Sequence, residues 1–529
     1  MTPVDDPFAR ARSLSRRSLL RWGSVATATA GLGLGSAACT SSAPGGTKPT
    51  GSPHDGGTIR VGLYAGANDL NPLDSTSELT RWVTDPVAET LYAYDAKLAS
   101  VPRLAAGEPS VSADGLEWTI PLKPGVRFHN GDPFTAEHVV ACLNYVNNTS
   151  SPSEWIIYFF GYLAEATAPD PLTVRIRLLK PYGLLRSHLT NMPISHKDFL
   201  TRKDAVMGTG PYRLTGVDLG NSFTLDRHLD YHGPRPGADR IVIDIVPDGT
   251  TRTVNLREGK LHIATQIPPQ LVRGLDGVSG ITVHHVDAPV DILAYPRVGK
   301  APFDNLAFRQ AVAYGMDRKG VLDKVFQGDA TLGQGPIGPA VVGWDPSFAP
   351  YPPVTDQARA RTLLQQSGVR DTSFTLTISN RAEMRDIGQV LVEGWKKVGI
   401  EARLEVLDGG PWTQKWITGK YEFIMGYYQS GLGSGNANFL TMSPAESTNI
   451  LNSGYHDLEA DQLIQRAWAS ADPQERVGIL RRLNAILTRD AIMIPPVYPR
   501  TVIAQGNRIT PLSRSALAIS RLDLAGLRV

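Results

Sequence analysis

The 529-residue sequence predicts an α/β protein, and three observations carry that prediction. Between Phe374 and Tyr428, three strand-like segments alternate with two helix-like ones. That order implies a parallel sheet with right-handed crossovers. The tract 205–290 is strand-rich with frequent turns, as in Gly208-Thr209-Gly210-Pro211-Tyr212. With the apolar N-terminal stretch set aside, roughly 490 residues remain, too many for one core, so two or three domains are expected.

The elements follow from local pattern. Ile59, Val61 and Leu63 alternate with Arg60 and Gly62 as a half-buried strand. A helix is expected from about Glu78 to Tyr92. Leu116, Trp118, Ile120 and Leu122 alternate again before the turn Lys123-Pro124-Gly125. Thr135 caps a helix that turns Val139, Val140 and Leu143 inward. Asp356–Gln366 is helical, with Gly368 as its C-terminal cap. Phe374, Leu376 and Ile378 form a strand. Ile387, Leu391, Gly394, Trp395 and Val398 form one helix face, which Gly399 ends. Ile400, Ala402, Leu404 and Val406 give a second strand. A short helix around Trp412–Thr418 leads to a third strand, Tyr421–Tyr428. Asp472-Pro473-Gln474-Glu475 opens the last long helix with a cap, a proline in the first turn and a reciprocal acid.

The first forty residues read as an address. Arg16 and Arg17 stand in Ser15-Arg16-Arg17-Ser18-Leu19-Leu20, a twin-arginine stretch of the Tat type. The Gly/Ala-rich apolar run from Trp22 to Ala38 is too short and too Gly-broken for a good spanning helix. Small residues then lead into Cys39, completing the order of a secretory signal. Ser36-Ala37-Ala38-Cys39 resembles a bacterial lipobox, which implies an acylated Cys39 at the mature N-terminus. Simple secretion with cleavage elsewhere is the alternative. Residues 40–57 are Gly, Pro, Ser and Thr with almost no apolar content, and read as a flexible spacer.

Composition excludes several classes. A net charge of +2 over this length makes no case for nucleic acid binding. Cys39 and Cys142 are the only cysteines, so an acylated Cys39 leaves no intrachain disulfide. Cys142 shares a helical spacing with Val139, Leu143 and Val146 and reads as an inert core residue. There is no HExxH, no GxSxG elbow and no Walker loop, so the chain is not expected to be an enzyme. His228 and His232 stand four apart but run into Gly233-Pro234, and His284 and His285 point to opposite faces of a strand. No metal and no cofactor is expected.

Several segments resemble a known family. They are Val101-Pro102-Arg103-Leu104-Ala105, Ser112–Thr119, Leu122–Gly131 and Pro133–Val140. Further along come Gly208–Tyr212, Pro302-Phe303-Asp304-Asn305-Leu306, Arg309–Tyr314 and Asn452-Ser453-Gly454-Tyr455. Together they look like the signature of the family 5 extracellular solute-binding proteins, the dipeptide, oligopeptide and nickel receptors of ABC importers. The resemblance covers 57–510 in order. It implies a two-lobed periplasmic-binding-protein-like fold (type II, large peptide-binding subclass) with a hinge and an extra subdomain in lobe one. The implied boundaries are 1–38 signal peptide, 39–57 lipidated cysteine and linker, 58–290 lobe one with a subdomain at about 95–205, 291–498 lobe two, and 499–529 the return to lobe one. Crossings are expected near Asp291–Arg297 and Pro495–Pro499, with closure around a ligand as the motion.

Open α/β sheets bind ligands at the carboxyl ends of their strands. The third lobe-two strand ends at Tyr427, Tyr428, Gln429 and Ser430, and a Gly-rich loop carrying Asn436 and Asn438 follows. The tyrosines offer rigid amphipathic area, although strand neighbours face opposite sides and one of the pair then belongs to the core. Peptide-binding relatives place an aspartate where Ser430 stands. A buried ammonium without a counter-charge is costly, which counts against an ordinary oligopeptide with a free N-terminus and favours a neutral, blocked, cyclic, sugar-like or differently oriented ligand. On the facing lobe, Thr76, Ser77 and Glu78 are the candidates. Glu78 either replaces the missing acid or is only a helix-start carboxylate. Arg385 opens a lobe-two helix where some relatives hold a peptide carboxylate; otherwise it is a solvated surface arginine. Trp412 and Trp416 are packing residues or ligand platforms.

The resemblance implies a monomeric lipoprotein, tethered by lipid alone to the outer face of the cytoplasmic membrane. It would capture a small organic or peptide-like solute and present it to ABC permease subunits. The rival is a scaffold of the same fold that has lost uptake and acts in cell-envelope interaction or regulation.

Overall fold

The computed structural model describes residues 55–67, 69–95, 99–159, 161–287, 290–429, 453–470, 472–512 and 528–529. All of them fall in one unit, Gly51–Val529. The proposed leader, Arg16, Arg17 and Cys39 lie outside the described residues.

Thr58–Leu63 is the seed of an eight-stranded sheet. It runs parallel to Arg240–Ile245 and to the short Ile263–Ala264. From one edge the order is Ile281–Asp287, Val497–Gly506, Ile263–Ala264, Thr58–Leu63, Arg240–Ile245, Ser222–Arg227 and Tyr212–Asp218. Ala330–Leu332 also pairs with Val497–Gly506. Ile59, Val61, Leu63, Phe223, Leu225, Ile241 and Ile243 are fully buried beneath it.

A second, four-stranded sheet has the order Val290–Pro296, Phe423–Gln429, Ser373–Ser379, Glu401–Leu407. Ser373–Ser379 is parallel to both of its neighbours, so the β-α-β-α-β reading holds, and Val290–Pro296 adds an antiparallel edge. The helix Ala382–Lys396 covers this sheet through Met384, Ile387, Leu391 and Trp395. Gly368, at φ 65°, caps the preceding helix, Gln357–Ser367.

The chain passes between the sheets twice. Ile281–Asp287 lies in the first and Val290–Pro296 in the second. On the return, Val497–Gly506 changes partner between Pro499, opposite Ala330, and Arg500, opposite Asp287. Pro499 has no N–H to donate where the ladder changes hands.

A third, antiparallel sheet is inserted in the chain between Thr58–Leu63 and Tyr212–Asp218 of the first: Ser110–Val111, Glu117–Pro121, Thr173–Leu178 and Leu163–Asp170. Against it packs the helix Ala136–Val146, entered by Thr135, whose N–H donates to His138 Nδ1 at 3.3 Å. This layer also reaches the helix pair Leu458–Ala469 and Pro473–Arg489, a contact that the sequence did not foreshadow. Gly183 N–H donates to the Trp468 carbonyl at 2.8 Å, and Arg476 Nη2 donates to the Gly183 carbonyl at 3.1 Å. Tyr162 meets Trp468 edge-on, with ring centres 6.0 Å apart.

Three local expectations need correction. The helix begun at Glu78 stops at Thr84, not Tyr92, because Pro86 cannot donate and its ring collides with the carbonyl four residues back. The helix expected at Trp412 begins at Gly409. Glu475 does not reciprocate its cap, since it accepts the Ser470 hydroxyl at 2.7 Å. Among the described residues no helix is long and apolar enough to cross a membrane.

Candidate functional site

A cavity of about 580 Å³ opens between the two large sheets, within the roughly 300–1,000 Å³ usual for small-ligand sites. Each element brings one side chain for a local reason. The strand Thr58–Leu63 ends and delivers Tyr64. The helix Glu78–Thr84 starts at the rim, with Ser77 as N-cap and Glu78 first in line. From the other side, Arg381 is the N-cap of Ala382–Lys396, and Glu383 and Asp386 lie on its first turns. Tyr427 comes from the end of Phe423–Gln429, with one side against the second core. Arg500 comes from the strand Val497–Gly506, by which the chain returns to the first sheet.

Glu78 sits between two neutral donors. Trp82 Nε1–H reaches Oε1 at 3.2 Å and Gln266 Nε2–H reaches Oε2 at 2.9 Å. Burial raises the Glu78 carboxyl above its ordinary pKa, against the pull of those two donors and of Arg381. Gln266 has a left-handed backbone, φ 46°, a conformation that costs a non-glycine residue free energy. The buried Arg252 holds it there, donating to the carbonyls of Val246 at 2.6 Å, Pro247 at 2.8 Å and Gln266 at 2.9 Å. Tyr64 is raised by burial and by Glu78.

Across the cavity, Arg381 donates through Nε to Glu383 Oε1 at 2.8 Å, and its guanidinium lies 4.2 Å from the centre of the Tyr427 ring. Burial works against the Arg381 charge, yet Glu383 and Tyr427 together hold its pKa above the usual arginine value. Burial and then Glu383 raise the Tyr427 phenol. Arg500 is matched to Asp287 at 3.1 Å.

The expected site residues are distributed as follows. Ser77, Glu78 and Tyr427 line the cavity. Thr76 turns away, its N–H and hydroxyl both given to Glu154 Oε2 at 2.6 and 2.8 Å. Arg385 is exposed and does not line the cavity; Arg381, one turn earlier, does. Trp412 donates to the Met425 carbonyl at 3.2 Å, stacks on Trp416 and occupies the space above Gly426. Tyr428 and Gln429 stand opposite Asp291 and Val290 in the ladder, but their side chains, like Ser430, Asn436 and Asn438, lie outside the described residues. Tyr64, Arg252, Gln266, Arg381 and Arg500 were missed. The position of Arg381 just ahead of a strong amphipathic helix was the one available signal. Nothing in the chain marks Gln266.

Among the described residues no group of His, Cys, Asp and Glu is arranged for a metal. His232 Nε2 is 2.7 Å from the buried Glu89 carboxylate, and His285 Nδ1 is 2.8 Å from Asp329.

Known proteins of similar sequence and shape agree with this architecture. The glutathione-binding protein GsiB of Salmonella typhi is 26% identical over 477 residues, which is 85% of this chain and 91% of the relative. The chain superposes on NikA of Brucella suis, solved with Fe(III)-EDTA, with TM-score 0.79 and 20% identity, covering 89% of this chain and 99% of that one. On DppA of Helicobacter pylori, solved with a peptide, the values are 0.77 and 19%, over 90% and 98%. Residues 99–449 match the family described as bacterial extracellular solute-binding proteins, family 5 Middle. That match spans most of the chain, and the protein belongs to this family of solute-binding proteins.

Proposed function

We propose that the protein captures a peptide-like organic solute between its two lobes and hands it to the permease of an ABC importer. The cavity walled by Glu78 on one side and by Arg381 and Tyr427 on the other carries this reading. It combines an acid, a cation and an aromatic face, the set needed to orient a small zwitterionic molecule. Glu78 replaces the acid absent at Ser430. Arg381, rather than Arg385, takes the carboxylate. The similarity to a glutathione-binding protein and to a structure holding a peptide supports a ligand of that class. The lobes correspond to 58–290 with 499–529, and to 291–498, with the subdomain at about 95–205. No covalent bond of the solute is made or broken at the site.

The receptor works outside the cytoplasm, exported through Arg16-Arg17 and held by acyl chains on Cys39. Each buried CH₂ of such a chain contributes about 0.8 kcal/mol, so a tether needs no spanning helix. Thermal shift against peptides, glutathione conjugates, sugars and nickel chelates, with mass spectrometry of co-purifying solute, tests the capture. Stabilisation by the peptide-like group alone is expected; no stabilisation by any class sinks the reading. Membrane fractionation of Cys39→Ala tests the tether, with release into the soluble fraction expected.

A further inference from the structure

Glu78 and Arg381 come from different lobes and face each other across the cavity. The Arg381 charge favours the ionised form of Glu78, but no ion pair joins them. Arg381 spends Nε and Nη2 on a single oxygen of Glu383, leaving the two N–H donors of Nη1 for another acceptor. Glu78 receives only the neutral donors of Trp82 and Gln266. The groups facing it are Tyr64 and Arg252 from lobe one, Arg381, Glu383, Asp386 and Tyr427 from lobe two, and Arg500 from the strand Val497–Gly506. Each of the three arginines already has partners of its own: carbonyls for Arg252, Glu383 for Arg381 and Asp287 for Arg500. A carboxyl in such a place, partly out of water and without a counter-ion, keeps its proton more tightly than a free one.

We propose that the solute bridges the lobes by its charges, its cationic end on Glu78 and its anionic end on Arg381, and that capture is coupled to loss of a proton from Glu78. This rests on the reading of the cavity as the solute site. The exchange balances simply. The Glu78 O–H bond breaks and the proton goes to water. The carboxylate left behind pairs with the incoming ammonium, and no bond of the solute changes. The Trp82 and Gln266 N–H groups then donate to a charged acceptor, where each bond is stronger than before. Because the two charges sit on opposite lobes, a molecule with one charge engages one lobe and does little to favour closure. A zwitterion favours the closed state by its affinity for both.

The test is titration calorimetry of the whole protein at about pH 6, a pH above the ordinary carboxylate range, in two buffers of different ionisation enthalpy. The probes are reduced glutathione and a set of dipeptides, and the tightest binder is repeated as its N-acetyl and its C-amide derivative. Expected are a buffer-dependent heat reporting proton release and at least tenfold weaker binding of both derivatives. In Glu78→Gln the buffer dependence should vanish while the unliganded melting temperature is kept. Gln266→Leu, which keeps the carboxyl but removes a donor to it, should move the half-release pH upward. Binding with a buffer-independent heat, undiminished binding of the N-acetyl form, or an unmoved half-release pH in Gln266→Leu overturns the inference and leaves solute capture standing. Failure of every probe to bind the wild-type protein overturns capture and the inference together.

Discussion

The Arg381 guanidinium lies 4.2 Å from the centre of the Tyr427 ring. A helix N-cap and a strand end, forty-six positions apart in the chain, thus form one cationic-aromatic wall of the cavity. A partly desolvated pair of this kind is worth about 1–2 kcal/mol. Arg381→Met should therefore weaken solute binding at least about tenfold, since it removes both the stacking and the anion donor. Arg381→Lys should recover only part, because an ammonium neither stacks as a plane nor donates as a fork. Arg385→Met is the control and should bind normally. Thermal shift with the same solute reads all three.

Glu89 is buried and accepts Arg103 Nε at 2.6 Å, Tyr231 OH at 2.8 Å, Thr209 Oγ1 at 2.9 Å and His232 Nε2 at 2.7 Å. Burial alone would raise its pKa, but His232, Arg103 and Tyr231 together pull it to about 2. A carboxyl depressed in the folded state stabilises the protein above its unfolded pKa, and this contribution fades as pH falls from about 4.5 toward 2. It is worth ~3 kcal/mol at neutral pH. Glu89→Gln should unfold at lower denaturant than wild type at pH 7, with the gap closing in acid. An equal gap at both ends of the range would contradict the assignment.

Trp468 is 1% exposed, and Tyr162 and Gly183 meet it. Arg476 fastens the same edge by donating to the Gly183 and Ser470 carbonyls. This contact lies away from the cavity and joins the edge of the third sheet to the helix pair Leu458–Ala469 and Pro473–Arg489. Trp468→Ala and Arg476→Ala should each speed solute release about tenfold or more, since each removes well over 1.4 kcal/mol from the closed form. Small-angle scattering of the unliganded variants should show a larger radius of gyration. Unchanged release would mean the contact does not open during the cycle.

The Gly208-Thr209-Gly210-Pro211-Tyr212 run has a steric cause. A Cβ on Gly210 would stand 2.5 Å from the Pro86 carbonyl oxygen, and one on Gly208 would meet the Val87 carbonyl closer still. Gly210→Ala should cost about 1–3 kcal/mol by forcing two backbones apart. A change within about 0.5 kcal/mol in urea melts would show that the segment gives way freely.

Legibility tracked how local the cause was. Gly368 was readable as a cap because a left-handed C-terminal residue favours glycine. Ile387, Leu391 and Trp395 were readable as a buried face because they recur at the helical period. The chemistry of the cavity was only half readable. Glu78 and Tyr427 stood out by residue type and by position at element ends. Thr76 has the same credentials and is drawn off by Glu154, seventy-eight positions away. Arg385 and Arg381 are indistinguishable by composition. Their separation depends on where the helix begins and which way its first turn faces.

The order of strands and helices, the parallel core of lobe two and the family were already present in the chain, because periodicity, caps and turn residues act over a few positions. Folding alone settled which charges meet. Gln266 is held by Arg252 and reaches Glu78, 188 positions away in the chain. Arg381 meets Tyr427 through the packing of a helix on a strand. Trp468 meets Tyr162, just over three hundred residues upstream. Electrostatic and aromatic contacts depend on distance in space and carry no signature of separation along the backbone, so only the assembled lobes could assign them.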